Sequence, residues 1–374
     1  MPQLNLDVVL LGPAPPYRGG IADTQWQFAQ ALQKQNKNVA LWTFTQLYPE
    51  VLFPGKTQFS EEKVDNSVDI ERKIHAYHPW EWKKVAKALN AVAPKAVVFR
   101  YWTPFLSPCW TSIAQHLSPS IKCIALVDNW KAHEPKPWDQ WLNKRFSKKM
   151  HAFSCLSTAV QEEISAATEK ACWGKMHPIA NNLPPKLEQA AARKKLKLEL
   201  EQDYLLFFGL IRPYKGLDLL LKAMEKQPDK KLLIVGECYE KPEKYERIIR
   251  ELKLEKQVDF QNRFVSADEA ALYFSAADAL ILPYKSATQS GVVAMAYHYA
   301  LPMVVTHHQG LAQPIEEDQT GEVCAPTPTA ISTSISALFT ATRLKDCQHK
   351  LVKNQNNYSW DNYAQAWINF VWND

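Results

Sequence analysis

Glycine is scarce in this chain, with eleven in 374 residues. A chain this sparing keeps glycine where the backbone must turn tightly or approach a ligand. Paired cysteines are missing too. The seven present (Cys109, Cys123, Cys155, Cys172, Cys238, Cys324, Cys347) are scattered, odd in number and include no Cys-x-x-Cys. That argues against a disulfide framework or zinc site and fits a reducing cytoplasm. No apolar run approaches the ~20 residues of a membrane span. The first run, residues 6–11, is too short for a secretory leader and has no basic segment ahead of it. A formal charge of +5 falls short of a nucleic-acid footprint, which needs dense Lys/Arg on one face. There is no Asp-x-Asp and no His/Cys/Asp/Glu cluster at metal-ligand spacing. The sequence therefore predicts neither a resident metal nor a bound cofactor.

What is present is a regular alternation. The chain exceeds the ~250–300 residues at which single cores stop growing, so two domains are expected. Short β-branched and aromatic runs at 6–12, 38–42, 96–100, 121–127 and 152–156 read as strands. Helical patterns lie between them at 21–33, 80–90, 108–116 and 138–150. The second half repeats the theme, with strands at 204–209, 231–236, 258–261, 279–282 and 303–306. Its helices fall at 217–225, 242–252, 267–276 and 291–299. Near-continuous apolar strands separated by helices imply parallel sheets covered on both faces. Two such series imply an α/β protein of two doubly wound, Rossmann-like domains. The boundary falls near "HPIANNLPP", giving domains 1–182 and 183–357, and "KLEQAAARKKLKLEL" then reads as a charged, exposed helix. A terminal helix at 358–374 carries Trp360, Tyr363, Trp367, Phe370 and Val371 at helical spacing. Packing back on the first domain would bury that stripe.

One loop is written twice. "VVLLGPAPPYRGG" and "LLFFGLIRPYKGL" share an apolar run, Gly, three residues, Pro-Tyr, a basic residue and Gly. Gly12, Pro16, Tyr17, Arg18 and Gly19 are echoed by Gly209, Pro213, Tyr214, Lys215 and Gly216. In a doubly wound sheet the ligand sits beyond the carboxyl ends of the strands, and a Gly-rich turn lets a helix N-terminus approach a phosphate. Two such domains, each aiming this loop at one cleft, would explain the echo. An ordinary strand-to-helix turn used twice is the plain alternative, since short glycine motifs are weak signals.

The segments "LLGPAPPYRGGIADTQWQFAQAL", "FFGLIRPYKGLDLLLKAM" and "LPYKSATQSGVVAMAYHYALPMVVT" stand in that order along almost the whole chain. Together they resemble a bacterial branch of the family-four retaining glycosyltransferases. The resemblance implies the GT-B architecture: two Rossmann-like domains, a nucleotide-sugar cleft between them, and a C-terminal helix crossing back to the first. It implies sugar transfer from a nucleotide diphosphate-sugar donor to a glycan or lipid-linked glycan acceptor. Under that resemblance, Gly19 and Gly20 lie beside the donor phosphate, and Lys215 and Arg212 stabilise the departing diphosphate. The family usually has its arginine directly after the strand glycine, where this chain has Leu210, so Arg212 is assigned by nearness within the motif. His133, in "LVDNWKAHEPKPW", would face the donor sugar, with Asp128 standing where the family has another histidine. The family also has two glutamates eight positions apart; here those positions hold Ala287 and Met295. Thr288, Gln289 and Ser290 then offer neutral groups to the sugar, and Ser290, Gly291 and Val292 open a helix toward the diphosphate. Glu237, after a strand-end glycine, is a candidate for the donor ribose, although a plain carboxylate at a helix N-terminus explains it as well. The Trp-rich loops "YHPWEW" and "RYWTPF" would line the acceptor side.

Between residues 131 and 150 six basic residues outnumber two acidic ones, and Trp138, Trp141, Leu142 and Phe146 recur at helical spacing. This reads either as a helix lying on a membrane surface near a lipid-linked acceptor or, more simply, as an amphipathic helix with its aromatic face in the core. Two further readings stand beside sugar transfer. A non-catalytic nucleotide-sugar or glycan-binding relative fits the missing glutamates. An NAD-dependent Rossmann enzyme fits less well, because neither loop reads Gly-x-Gly-x-x-Gly.

Overall fold

The computed structural model describes residues 5–17, 19–48, 59, 67–131, 136–287, 290–340 and 342–372. The chain forms two compact units, Met1–Lys175 together with Trp360–Asp374, and Met176–Ser359. The second unit thus takes in residues 176–182, which the Pro/Asn-rich boundary assigned to the first.

In the first unit seven strands pair in parallel: β1 (Val8–Leu11), β2 (Val39–Gln46), β3 (Asp69–His75), β4 (Ala96–Tyr101), β5 (Lys122–Val127), β6 (Ala152–Cys155) and β7 (Ala171–Gly174). Their spatial order is β3-β2-β1-β4-β5-β6-β7. The second unit has six: β8 (Asp203–Phe208), β9 (Lys230–Val235), β10 (Val258–Gln261), β11 (Ala279–Leu282), β12 (Met303–Thr306) and β13 (Gly321–Cys324), in the order β10-β9-β8-β11-β12-β13. Both are doubly wound sheets whose order reverses beside the first strand, at β1/β4 and at β8/β11. Ligands bind such sheets outside the carboxyl ends of the strands at that reversal.

The alternation of side chains across each strand shows why both faces are covered. Val9 and Leu11 enter one core cluster of the first unit, while Val8 and Leu10 enter the other. Leu206 and then Leu205 with Phe207 divide in the same way in the second unit. With no polar face to turn to water, such strands read as unbroken apolar runs.

Three strands escaped that signal: β3, β7 and β13. All three are sheet edges. The β3 sequence DIERKIH is mostly exposed or half-buried, and ACWG and GEVC are four residues long with little full burial. An edge strand has one neighbour and partial cover, so it needs no apolar run.

Two helices differ from expectation or bear on it. The charged helix Gln189–Leu196 is not simply exposed. Ala192 and Arg193 are buried, and Arg193 donates to the Ala276 carbonyl at 3.0 Å and to Asp278 at 2.7 Å. A guanidinium satisfied on two sides can be buried where composition alone suggests a solvated charge. The terminal helix Trp360–Trp372 belongs to the first unit. It buries Trp360, Tyr363, Trp367 and Val371. Phe28, from the helix Gly20–Lys34, meets Trp367 edge-on at 5.3 Å and Tyr363 at 5.6 Å. Trp367 Nε1 donates to Ser154 Oγ at 3.1 Å and the Tyr363 hydroxyl to the Cys155 carbonyl at 3.2 Å.

Candidate functional site

In the second unit the reversal between β8 and β11 is built by two loops that both read Pro-Tyr-Lys: Pro213-Tyr214-Lys215 after β8, and Pro283-Tyr284-Lys285 after β11. They are locked together. The Lys285 amide donates to the Tyr214 carbonyl at 2.6 Å, Lys285 Nζ pairs with Asp218 at 2.8 Å, and the two tyrosine rings meet edge-on at 6.0 Å. Gly216 makes this contact possible. Its φ is +68°, and a Cβ there would lie 1.9 Å from the Pro283 carbonyl oxygen. Only a residue without a side chain fits both conditions.

Lys215 is folded into the middle of this arrangement. It is only 8% exposed. Its Nζ lies 5.3 Å from the centre of the Tyr284 ring and 3.0 Å from where a Gly209 Cβ would stand, with Val292 on the other side of that point at 3.7 Å. Among the described residues no carboxylate and no hydrogen-bond acceptor partners this ammonium. Burial pushes its pKa below the ordinary lysine value; Tyr214 opposes that shift and the charge of Arg212 adds to it. A buried cation with no counterion is costly unless something anionic arrives to meet it. Tyr284 adds to the same signature. Its hydroxyl is buried and makes no well-formed hydrogen bond among the described residues, and burial pushes the phenol up to about 12 against a smaller opposing effect of the nearby Ser290 side chain.

Arg212 stands on the same loop but points outward. It is exposed, and its guanidinium rests over the ring of Tyr239 at 5.1 Å. The loop after β9 is tied to it by the backbone, since the Ile211 amide donates to the Glu237 carbonyl at 2.9 Å. Glu237 is exposed, and the next helix, Glu243–Glu251, begins well beyond it. It is therefore not a first-turn helix carboxylate.

The helix Gly291–His298 starts at an uncapped end. Ser290 occupies the N-cap position, yet its side chain makes no capping hydrogen bond; the Val293 amide donates to the Ser290 carbonyl at 3.1 Å, and the Gly291 and Val292 amides have no side-chain cap among the described residues. Gly291 has nothing near its Cβ position. Ala287 and Met295, at the two glutamate positions, pack against the apolar core of this unit. Thr288 and Gln289 lie outside the described residues, as does His133.

The first unit repeats the topology with a different filling. Gly19 and Gly20 are exposed, and the helix Gly20–Lys34 begins without a side-chain cap. Tyr17 is buried against Phe44 and Phe59. Beneath Gly12, at the ends of β1, β4 and β5, lies a fully buried arginine that sequence reasoning missed. A Cβ on Gly12 would come within 2.6 Å of Arg100 Cβ. Arg100 Nε donates to Asp128 at 2.6 Å and Nη2 at 2.5 Å, and Nη2 also donates to Thr24 Oγ1 at 3.0 Å, while Nη1 has no partner among the described residues. Asp128, which stands at a family histidine position, is thus the counterion of Arg100. Its signal was an arginine in the middle of an apolar strand, "AVVFRY", which a strand buried on both faces tolerates only with a partner.

The loops rich in aromatics border an open groove of about 400 Å³ lined by Tyr77, Trp82, Thr103, Phe105, Trp138 and Asp139 among others. The neighbouring helix Asp139–Ser147 does not turn all its aromatics inward. Phe146 is in the core, but Trp138 and Trp141 are 56% and 57% exposed. The simple reading of an aromatic face buried in the core is corrected at those two positions.

Comparison with known proteins gives a family match within the second unit. Residues 188–357 match the family model of glycosyl transferases group 1. The chain is 26% identical over 193 residues to D-inositol 3-phosphate glycosyltransferase 2 of Catenulispora acidiphila, covering 48% of this chain and 45% of that one. It is 31% identical over 115 residues to a GDP-mannose:glycolipid 4-beta-D-mannosyltransferase of Xanthomonas campestris, covering 30% and 33%. The chain thus spans less than half the length of these curated relatives. Among solved structures, Anabaena HepE in complex with UDP superposes with a TM-score of 0.74 at 12% identity, over 98% of this chain and 99% of that one. The fold is GT-B. It consists of two parallel, doubly wound sheets of the Rossmann kind, and the matched domain is the unit that holds Lys215.

Proposed function

We propose that this chain is a family-four retaining glycosyltransferase, moving a sugar from a nucleotide diphosphate donor to a glycan or lipid-linked glycan acceptor. The observation that carries the reading is Lys215, buried and without a counterion among the described residues at the strand-order reversal of the group 1 domain. As the glycosidic bond breaks, negative charge gathers on the leaving diphosphate. A cation already stripped of water and held by two interlocked loops stabilises that charge more in the transition state than in the ground state. Arg212 adds a second, mobile charge from the same loop. The open amides of the helix Gly291–His298 add a dipole worth roughly 0.3–1 kcal/mol.

The remaining assignments follow the family resemblance. Ser290, Thr288 and Gln289 contact the sugar in place of the missing carboxylates, and Val292 walls the site beside Gly209. Glu237 takes the donor ribose, Gly19 and Gly20 present amides from the first unit, and His133 faces the sugar. The diphosphate departs and the acceptor attacks the same sugar face, without a protein nucleophile and without a resident metal ion. The reaction runs in the cytoplasm, consistent with seven free thiols. Two relatives support the substrate classes: HepE was solved with UDP, and the Xanthomonas enzyme is named for transfer from GDP-mannose to a glycolipid.

The test is a panel of UDP-, GDP-, ADP- and dTDP-sugars with a glycolipid extract, scored by nucleoside diphosphate released and by the anomeric configuration of the product. One donor should be consumed, with configuration retained, in the presence of a chelator. Stabilisation by NAD and by no nucleoside diphosphate would overturn the proposal, as would transfer at an undiminished rate by Lys215→Ala.

A further inference from the structure

Two of the seven cysteines meet. Cys155 and Cys172 stand on the neighbouring strands β6 and β7, and their sulfur atoms lie 3.7 Å apart. The parallel register pairs Phe153 with Cys172 and Cys155 with Gly174, so the two thiols sit diagonally on one face of the sheet. Cys155 is buried, Cys172 is half-buried on the edge strand, and both are free thiols.

A disulfide forms readily when one accessible sulfur is oxidised and a second, already in contact, displaces the oxygen from it. Cys172 is the accessible sulfur. Cys155 is the second. The contact with Cys172, and then burial, hold its thiol well above the ordinary range, so it keeps its proton until Cys172 has changed. The other thiols are placed differently. Cys109, Cys123 and Cys347 are buried, Cys238 turns its sulfur to the Glu240 carbonyl at 3.4 Å, and Cys324 lies beside Ser334.

The edge strand can supply the movement the bond needs. A disulfide draws its sulfurs to about 2.05 Å, closer than they stand here. β7 has one neighbour, is four residues long and has no fully buried residue, whereas β6 is held between β5 and β7. Closing the bond therefore moves β7. The chain leaves that strand at Gly174, and the longer stretch of the first unit ends at Lys175. The Lys175 amide donates to the Cys155 carbonyl at 3.3 Å, and the Tyr363 hydroxyl on the terminal helix donates to the same oxygen at 3.2 Å. Both stretches that make up the first unit are thus tied to the backbone of Cys155.

We propose that Cys155 and Cys172 form a reversible disulfide when the protein meets hydrogen peroxide, fastening the end of β7 to β6 where the chain leaves the first unit. The Cys172 sulfur attacks one peroxide oxygen and the O–O bond breaks. A sulfenic acid forms, and the Cys172 proton leaves with the other oxygen as water. The Cys155 sulfur then attacks the sulfenic sulfur, the S–O bond breaks, and the Cys155 proton leaves with that hydroxyl as a second water. Two thiols are oxidised and one peroxide is reduced to two waters. A dithiol reverses the bond by exchange. Transient disulfides of this kind occur in reducing compartments. The proposal does not rest on the enzymatic one, because bond formation needs neither donor nor turnover.

The test treats the folded full chain with hydrogen peroxide, blocks the remaining thiols by alkylation, and maps linkages by peptide mass spectrometry without reduction. The expected product is a peptide pair joined through Cys155 and Cys172 that dithiothreitol separates. This reading on the wild type needs no variant to fold. Cys172→Ser should slow thiol loss about tenfold, and Cys155→Ser should stop at a sulfenic acid that dimedone traps on Cys172. Amide hydrogen exchange across residues 172–175 should slow about tenfold on oxidation, because a tethered edge strand opens less often. Oxidation confined to other cysteines, or a link that forms only after denaturation, would overturn the proposal. So would unchanged exchange in the linked protein.

Discussion

The two strand-order reversals have the same topology and nearly the same loop sequence, yet they treat a buried cation in opposite ways. At β1/β4 Arg100 is neutralised within the protein by Asp128 and Thr24. At β8/β11 Lys215 is buried with no counterion among the described residues, beside the buried hydroxyl of Tyr284. The first pairs its cation with a carboxylate inside the protein, although Arg100 Nη1 has no hydrogen-bond partner among the described residues. The second offers its cation no carboxylate among the described residues, and under the proposed function the donor diphosphate supplies the opposite charge. The difference separates a motif's shape, which both units keep, from its chemistry, which only one exposes to a ligand.

The largest effect expected from breaking this contrast is on the second unit. Lys215→Ala should reduce turnover by about 10²–10³-fold and leave unfolding stability unchanged or slightly raised, since it removes a cation that folding buries unpaired. Initial rates and chemical denaturation of the same preparation check both halves. The first unit should behave in the reverse manner. Asp128→Ala strands the Arg100 guanidinium and should cost about 3–5 kcal/mol, whereas Arg100→Met combined with Asp128→Leu should recover most of that loss. Denaturation midpoints of the single and double variants measure it.

Gly216→Ala sharpens the comparison by disturbing the loop lock rather than the charge. The clash with Pro283 and the positive φ should cost about 2 kcal/mol or more and raise the KM for the donor. A change in stability without a change in KM would separate the lock from the site. The smallest effect concerns pH. Because the native Lys215 pKa is lowered, the unfolded chain keeps this proton to higher pH than the folded one. Stability therefore rises with pH across the window between the lowered native value and the ordinary lysine value. A bound diphosphate restores the proton, so its affinity should fall through the same window. Calorimetric titration across alkaline pH in wild type and Lys215→Met checks the sign, and only the wild type should show the trend.

Most of the fold was legible because buried parallel strands have no polar face: β11 and β12 were bounded to the residue by their apolar runs, and the edge strand β10, VDFQ, was placed without one. The edges β3, β7 and β13 were not, since half-exposed strands carry no such run. The site divides along the same line. Lys215 was visible through the repeated loop and the family resemblance. Tyr284 and Lys285 were not, although "PYK" stands in the sequence twice, because pairing the two copies requires knowing that β8 and β11 are neighbours. Asp128 was noted only as the residue at a family histidine position, and its pairing with Arg100 was missed for a similar reason. Its partner lies 28 positions away, and nothing local marks the pair.

The central claim, that the reversal of the second unit is completed by a diphosphate, is tested most directly by thermal unfolding with UDP, GDP, ADP and dTDP. Wild type and Lys215→Met should be measured side by side. A ligand at a hundred times its dissociation constant adds about 2.7 kcal/mol to stability. The account predicts that at least one nucleoside diphosphate raises the midpoint of the wild type and leaves that of Lys215→Met where it was. An equal rise in both proteins, or no rise with any nucleotide, would contradict it.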